Sequence, residues 1–166
     1  FYGKRKMFLL KSIRLYIIIK IKDWNVPKIK GGENMNYKIY DQLPQEAKKI
    51  RIKVFMEEQG FKDEFDDLDE VCKHLVVFDH QKAIGTCRYY YDDPLQANVI
   101  GRIAVIKEYR GKKVGQYIVK TSCSLIQGNV CLHAQLQAKP FYEKLGFKAY
   151  GEIDYDEDCP HTWMKK

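Results

Sequence analysis

The alternation of apolar and polar positions between Met35 and Lys166 predicts seven strands and three helices. Strand positions alternate with a period of two, and helical segments carry apolar residues three and four positions apart. The predicted elements follow the order β-α-β-β-β-α-β-α-β-β and span Asn36–Tyr40, Gln45–Gln59, His74–Phe78, Ala83–Tyr91, Asn98–Ile106, Val114–Ile126, Val130–Gln135, Pro140–Leu145, Phe147–Tyr150 and His161–Met164. This order predicts an α+β (mixed α/β) domain whose sheet is largely antiparallel and carries helices on its faces.

Residues 1–34 differ from the rest of the chain in composition. They are rich in Lys, Ile, Leu, Tyr and Phe and show neither helix caps nor a clean period, and their longest purely apolar run, Leu15–Ile19, is too short to span a bilayer. Lys30–Met35 back-translates into purine-rich text ahead of a start codon, as in a bacterial ribosome-binding site. We therefore expect the natural protein to begin at Met35, with residues 35–166 as its one domain. A basic membrane-surface tail and an ordinary structured extension are the alternatives.

The formal net charge of +7 lies entirely in residues 1–34. Of the 29 basic and 22 acidic residues in the chain, this segment holds nine and two, which leaves 20 of each in residues 35–166. The predicted domain is therefore neutral overall and lacks the basic surplus of a general nucleic-acid-binding surface. We expect neither nucleic acid nor a membrane as its partner.

The five cysteines indicate reduced thiols in a cytoplasmic protein, because their number is odd and no C-x-x-C motif occurs. Three Cys-x-His pairs set a thiol and an imidazole on one strand face: Cys72 with His74, Cys131 with His133, and Cys159 with His161. The pairs lie in three separate predicted elements and lack the short-spaced pairing of structural zinc sites. We therefore predict no metal.

A basic, glycine-containing segment, Arg110-Gly111-Lys112-Lys113-Val114-Gly115, joins a predicted strand to the helix Val114–Ile126. The first N–H groups of a helix have no intrahelical partner, and the helix dipole adds partial positive charge at this end. Gly111 and Gly115 let the backbone approach a bulky anion closely. The junction predicts a cradle for a phosphate or pyrophosphate, with an ordinary solvated loop as the alternative.

A second motif, Phe141-Tyr142-Glu143-Lys144-Leu145-Gly146-Phe147, follows a predicted strand further along the chain. Together with residues 110–115 it resembles the signature motifs of the GNAT superfamily of N-acetyltransferases, in the right order and at a suitable separation. The resemblance covers essentially all of residues 35–166. Lys113 departs from the family pattern, in which glycine is common at this position. We expect a side chain there to be tolerated only if the backbone avoids positive φ.

The resemblance implies the GNAT fold, a central, mostly antiparallel twisted sheet of six to seven strands flanked by helices, with a splayed parallel pair at Arg102–Val105 and Val130–Gln135. It implies acetyl-CoA as the cofactor, with the pantetheine arm paired to the backbone of one strand and the pyrophosphate held by the amides of residues 110–115. The residues that it assigns to the cofactor are Ile103, Ala104, Val105, Arg110, Gly111, Lys112, Lys113, Val114, Gly115, Phe141, Tyr142 and Lys144.

The resemblance also implies that Tyr142 donates a proton to the leaving CoA thiolate. A phenol suits this role because its ordinary pKa of about 10 keeps it protonated at neutral pH. A packed aromatic ring on a short helix is the alternative. Amine acetylation further needs a group that removes a proton from the ammonium. The candidates are Glu57, Glu58, Asp66, Asp69, His74 and His161, of which Glu58 and His74 are predicted to be catalytic.

Further polar positions resemble the bacterial ElaA/YjcF-like branch of the superfamily. The residues predicted to bind substrate are Arg51, Gln59, Arg88, Arg102, Gln135 and His161. Arg88 and Arg102 stand in apolar strands, where they either bind an anionic substrate group or form internal salt bridges to the acidic loop Asp63–Glu70. Gln135 either contacts substrate or pantetheine, or caps the following turn.

The sequence therefore predicts an enzyme that transfers an acetyl group from acetyl-CoA to the amine of a small molecule by direct attack. Two alternatives stay open. One is an acyl-homoserine-lactone-type synthase, which the Arg51-x-x-Val54-Phe55 helix and the acidic loop also resemble. The other is a non-catalytic CoA-binding sensor. A homodimer is expected only by analogy with the fold.

Overall fold

The computed structural model describes residues 35–166, which form a seven-stranded sheet and three α-helices. The strands are β1 Met35–Tyr40, β2 Lys73–Asp79, β3 Lys82–Asp92, β4 Ala97–Val105, β5 Val130–Gln135, β6 Lys148–Asp156 and β7 Cys159–Lys165. The helices are α1 Gln45–Arg51, α2 Val114–Leu125 and α3 Lys139–Glu143. The predicted element order and fold class are confirmed. The expected start at Met35 concerns residues 1–34, which lie outside the described part of the chain.

The sheet has the strand order β1-β2-β3-β4-β5-β7-β6. Its neighbouring strands are antiparallel except for β4 and β5, which run parallel. The predicted mostly antiparallel sheet with one parallel pair is therefore confirmed. Because a parallel connection needs a crossover, α2 carries the chain from β4 to β5.

The core lies on both faces of β2, whose central residues are all buried. Val76 and Phe78 belong to a cluster with Ala47 of α1, whereas Val77 belongs to the larger cluster that includes Ile118 of α2. Since successive strand residues point to opposite faces, the two helices cover opposite sides of the sheet.

The first predicted helix, Gln45–Gln59, is not α-helical throughout. It is an α-helix only over Gln45–Arg51 and continues as a π-helix over Ile52–Glu58. The wider turns of a π-helix shift the side chains that follow out of α-helical register, an arrangement often found at functional sites. Sequence periodicity does not separate these two helix types over so short a segment.

Strand β4 carries a β-bulge at Arg102. The pairing of β3 with β4 passes from Arg88↔Gly101 to Thr86↔Ala104, so that two β4 residues oppose one residue of β3. Arg102 takes a left-handed backbone conformation, with φ 51°. A bulge of this kind bends the strand and redirects its side chains.

The parallel pair β4 and β5 is joined at one end only. The paired residues are Asn98↔Val130 and Val99↔Cys131, after which the two strands separate. The β4 backbone from Ile100 to Val105 therefore has no β5 partner along this edge. The predicted splayed strand pair is present, and the gap between its arms positions the site described next.

Candidate active site

A cavity of about 240 Å³ opens where β4 and β5 separate. The bulged part of β4 forms one wall and β5 the other, while α3, β7 and the π-helical segment close the remaining sides. Polar and titratable residues of its lining include Arg102, Arg110, His133, Gln135, Tyr142 and His161. Unpaired strand backbone on one side and polar side chains on the other make this cavity suited to an extended ligand with amide groups.

The start of α2 lies beside the cavity and presents unsatisfied backbone N–H groups. Its N-cap residue, Lys113, contributes no side-chain cap. Gly111 has φ 74° and Lys113 has φ 62°, so the turn before the helix uses two left-handed residues. The expectation that a side chain at 113 requires a backbone free of positive φ is wrong, since Lys113 adopts the conformation for which glycine is preferred.

The two sequence motifs meet in space at Gly115. A Cβ atom added to Gly115 would lie 3.4 Å from Cζ of Phe141 and 3.9 Å from Cγ2 of Val105. The first turn of α2, the end of β4 and the start of α3 are therefore in van der Waals contact. Val114 is buried beneath this junction, whereas Lys112 and Lys144 are exposed.

Arg110 turns back toward the cavity instead of extending from the cradle. Its Nε donates a hydrogen bond to the carbonyl oxygen of Val105 at 3.0 Å, and its Nη2 donates to Oε2 of Glu58 at 2.6 Å. Glu58, a predicted catalytic base, is thus paired with a predicted cofactor ligand and does not line the cavity. Both side chains are partly exposed, so the ion pair is open to solvent screening.

Tyr142 lines the cavity from α3 and is 8% exposed. Its ring contacts Phe141 and Phe147 edge to face, with centroid separations of 4.9 and 6.2 Å. Burial raises the pKa of the phenol above its usual value, and neighbouring Cys87 adds to the rise. The hydroxyl therefore stays protonated over the whole physiological pH range.

Three arginines and three carboxylates form a closed ring of ion pairs, in which each charge touches two of opposite sign. The successive pairs are Arg51–Glu64, Glu64–Arg102, Arg102–Asp66, Asp66–Arg88, Arg88–Asp69 and Asp69–Arg51, at 2.5–3.6 Å. The ring ties the acidic loop to α1, β3 and β4. Of the two alternatives for Arg88 and Arg102, the structure has the internal salt bridges.

Besides Glu58, three further residues predicted for the site have their side chains outside the cavity. Arg51 is only 1% exposed and is engaged in the ion-pair ring, as is the buried Arg88. His74 is buried, with Nε2 2.9 Å from the carbonyl oxygen of Asp69 and 3.4 Å from Sγ of Cys72. None of the three lines the cavity, because the ring holds the arginines and the imidazole lies behind it.

The structure brings three other predicted residues together at the far end of the cavity. Nε2 of Gln135 donates to Oε1 of Gln59 at 2.8 Å, and both side chains line the cavity with His161. His133 is a further lining residue, for which the sequence predicts no role in the site. Its position two residues before Gln135 on β5, and hence on the same strand face, is the signal that points to it.

Asp69, Cys72 and His74 form the one group of three metal-ligand side chains that lie within 4.8 Å of one another in residues 35–166. Arg51 and Arg88 already occupy the Asp69 carboxylate. Burial raises the pKa of the Cys72 thiol to about 11, which opposes formation of the thiolate that binds metals. This donor set does not suit a cation.

The sequence model described as an acetyltransferase (GNAT) domain matches residues 40–166. YyaT of Bacillus subtilis is 34% identical over 136 residues, which cover 73% of this chain and 86% of that protein. The N-acetyltransferase YjcF of the same organism is 34% identical over 124 residues, covering 70% and 87%. The crystal structure of Escherichia coli ElaA is similar with a TM-score of 0.71 at 26% identity, covering 80% of this chain and 99% of that one.

None of the helices within residues 35–166 is long and apolar enough to cross a membrane.

Proposed function

The chain belongs to the acetyltransferase (GNAT) family, and we propose that it transfers the acetyl group of acetyl-CoA to the amine nitrogen of a small molecule. The observation that carries the proposal is the gap between β4 and β5, with the uncapped N-terminus of α2 beside it. This geometry offers an open strand edge and an anion cradle in contact with each other.

The residues around the gap fit acetyl-CoA. The amide groups of a pantetheine arm are suited to pair with the backbone of Ile103–Val105, which has no β5 partner. A pyrophosphate is suited to the N–H groups of residues 111–115, where Gly111 and Gly115 leave room for close approach. Lys112 and Lys113 add positive charge at the exposed rim. The acetyl thioester supplies an activated carbonyl carbon for attack by an amine.

Tyr142 is the proposed general acid. Its hydroxyl lies on the cavity wall with a pKa raised by burial, so it is protonated at neutral pH and available to donate to the sulfur as the carbon–sulfur bond breaks. The amine is expected to enter from the end of the cavity that Gln59 and Gln135 line. A homodimeric state and a cytoplasmic location are further predictions for this protein.

The test is calorimetry of the purified full chain with acetyl-CoA, followed by a thiol-release assay over a panel of ethylamine, benzylamine, putrescine and a lysine ester. We expect binding of acetyl-CoA and amine-dependent release of CoA. Binding without turnover on any amine would favour the non-catalytic CoA sensor. An absence of binding would contradict the proposal.

A further inference from the structure

We propose that Nε2 of His161 is the general base that removes a proton from the acceptor ammonium. The inference rests on the proposed function and adds to it the residue that makes the amine nucleophilic. His161 lies on β7, lines the cavity and is 6% exposed. It shares the cavity with Tyr142, the proposed acid.

The hydrogen bonding of His161 fixes its neutral tautomer. Nδ1 lies 2.9 Å from the carbonyl oxygen of Cys159. A carbonyl oxygen only accepts hydrogen bonds, so Nδ1 carries the hydrogen and Nε2 keeps the lone pair. This arrangement orients the ring in the way that a carboxylate or carbonyl partner commonly orients a catalytic histidine.

Nε2 of His161 is available within the cavity. It has no hydrogen-bond partner among the described residues. It is not sealed from solvent either, because Nε of Arg88 is the one fully buried side-chain nitrogen or oxygen without a partner in residues 35–166. An unpaired basic nitrogen on a nearly buried ring is costly unless a ligand or water contacts it.

Each of the other three histidines of the chain either lies outside the cavity or has its Nε2 paired with another residue. His74 lies behind the ion-pair ring, and His80 is exposed on the turn between β2 and β3, with Nδ1 2.9 Å from Asp79. His133 lines the cavity, but its Nε2 lies 2.5 Å from Oδ1 of Asp154. His161 therefore combines burial in the cavity wall with an unoccupied nitrogen.

The carboxylates near the cavity are less suited to act as the base. Glu58 is paired with Arg110, while Glu64 is bonded to Arg51 and paired with Arg102. Asp63 and Asp156 line the cavity but are exposed to solvent. The charges of Glu58 and Glu64 are already balanced by arginines. The exposed side chains of Asp63 and Asp156 are not held in one orientation toward a bound amine.

The proposed step balances in protons and electrons. The lone pair of His161 Nε2 takes one proton from the ammonium, and the freed nitrogen pair forms the bond to the acetyl carbon as the carbon–sulfur bond breaks. Tyr142 gives its proton to the sulfur and regains one from the amide nitrogen. The proton on His161 passes to solvent, leaving an acetamide and free CoA.

Titratable and charged groups on several elements face His161. The ring of His133 on β5 lies 4.7 Å from the ring of His161, centroid to centroid. Asp154 on β6 is opposite His161 in the β6–β7 pairing. The other titratable residues that line the same cavity are Asp63, Glu64, Arg102, Arg110, Tyr142 and Asp156.

The experiment is the pH dependence of kcat/KM for the full chain and for His161→Asn, with the best primary amine of the panel and its analogue carrying a trifluoromethyl group on the amine-bearing carbon. The asparagine amide keeps a donor for the Cys159 carbonyl but offers no titrating nitrogen. We expect a loss of about 10²-fold with the ordinary amine and disappearance of the acidic limb. The loss should be several-fold smaller with the fluorinated amine, whose nitrogen is largely neutral at pH 7 and needs no base.

Two variants complete the design. His80→Asn, far from the cavity, should match the wild type, and His133→Asn should retain the acidic limb. Acetyl-CoA calorimetry on each variant reports whether the cavity has kept its fold. An active wild type with an unchanged His161→Asn profile, or an equal loss with both amines, would overturn the inference. A wild type inactive on every amine would instead overturn the proposed function.

Discussion

At the scale of single residues, Tyr142 makes the most direct prediction about chemistry. Tyr142→Phe removes one hydroxyl from a buried, tightly packed ring and leaves the contacts with Phe141 and Phe147 in place. We expect kcat to fall by about 10²-fold, while the affinity for acetyl-CoA changes by less than about twofold. Steady-state kinetics and calorimetry measure the two quantities. Tyr91→Phe, on an exposed tyrosine, is the matched control; an unchanged kcat in Tyr142→Phe would remove it as the acid.

Lys113 predicts an effect on stability. A non-glycine residue with φ 62° carries backbone strain that glycine lacks. We expect Lys113→Gly to raise the free energy of unfolding by about 1 kcal/mol, as measured by urea denaturation. Lys112→Gly should give no such gain, because Lys112 is not in the left-handed region. Equal effects of the two substitutions would show that the strain is not significant.

Residue by residue, the sequence carries more information about the proposed cofactor side than about the proposed acceptor side. The cradle and the Phe141–Phe147 motif are contiguous in sequence, so their local pattern is visible. The partners of Arg51 and Arg88 lie far along the chain, and only the folded sheet reveals that these arginines close an ion-pair ring. For the same reason, nothing in the sequence separates His161 from His74 as a base.

At the scale of elements, the ion-pair ring fastens the acidic loop to α1, β3 and β4. Burial alone would raise the pKa of Asp69, but hydrogen bonds and charge from Arg51 and Arg88 outweigh it and lower the pKa to about 2. The hydrogen bonds of Arg88 likewise lower the pKa of Asp66. Both carboxylates therefore favour the folded state when ionised.

The ring predicts a loss of stability in acid. A carboxylate whose pKa is lower in the folded than in the unfolded protein stabilises the fold above its unfolded value, and this contribution disappears as the pH falls through its folded pKa. For Asp69 the window runs from about pH 5 down to about pH 2 and is worth on the order of 2 kcal/mol. Burial raises the pKa of Glu64, which offsets part of the loss.

Asp69→Asn tests this account. It leaves Arg51 and Arg88 each without one charged partner in a buried setting, and we expect the free energy of unfolding at pH 7 to fall by about 3 kcal/mol. Its stability should also vary less between pH 5 and pH 2 than that of the wild type. Urea denaturation at several pH values measures both effects. Asp67→Asn, an exposed residue of the same turn, should behave like the wild type.

At the scale of the whole molecule, the order of strands and helices is predictable because the spacing of apolar residues within each segment indicates its type. The π-helical widening after Arg51 and the bulge at Arg102 are not, since both depend on contacts between distant segments. The splay of β4 from β5 was expected only through the family resemblance. Hydrophobic patterning cannot show where a parallel pair stops bonding.

The closed ring of ion pairs has a consequence for the evolution of this chain. Each charged residue of the ring is paired with two residues of opposite charge. Replacing one of them by a neutral residue therefore leaves its two neighbours with one partner each, whereas replacing an adjacent acid and base together keeps the ring neutral. We expect the six positions to covary among related sequences, with losses occurring as neighbouring pairs such as Arg88 with Asp66. An alignment in which single losses are as frequent as paired ones would contradict this. The fold thus constrains which substitutions are tolerated together at these six positions.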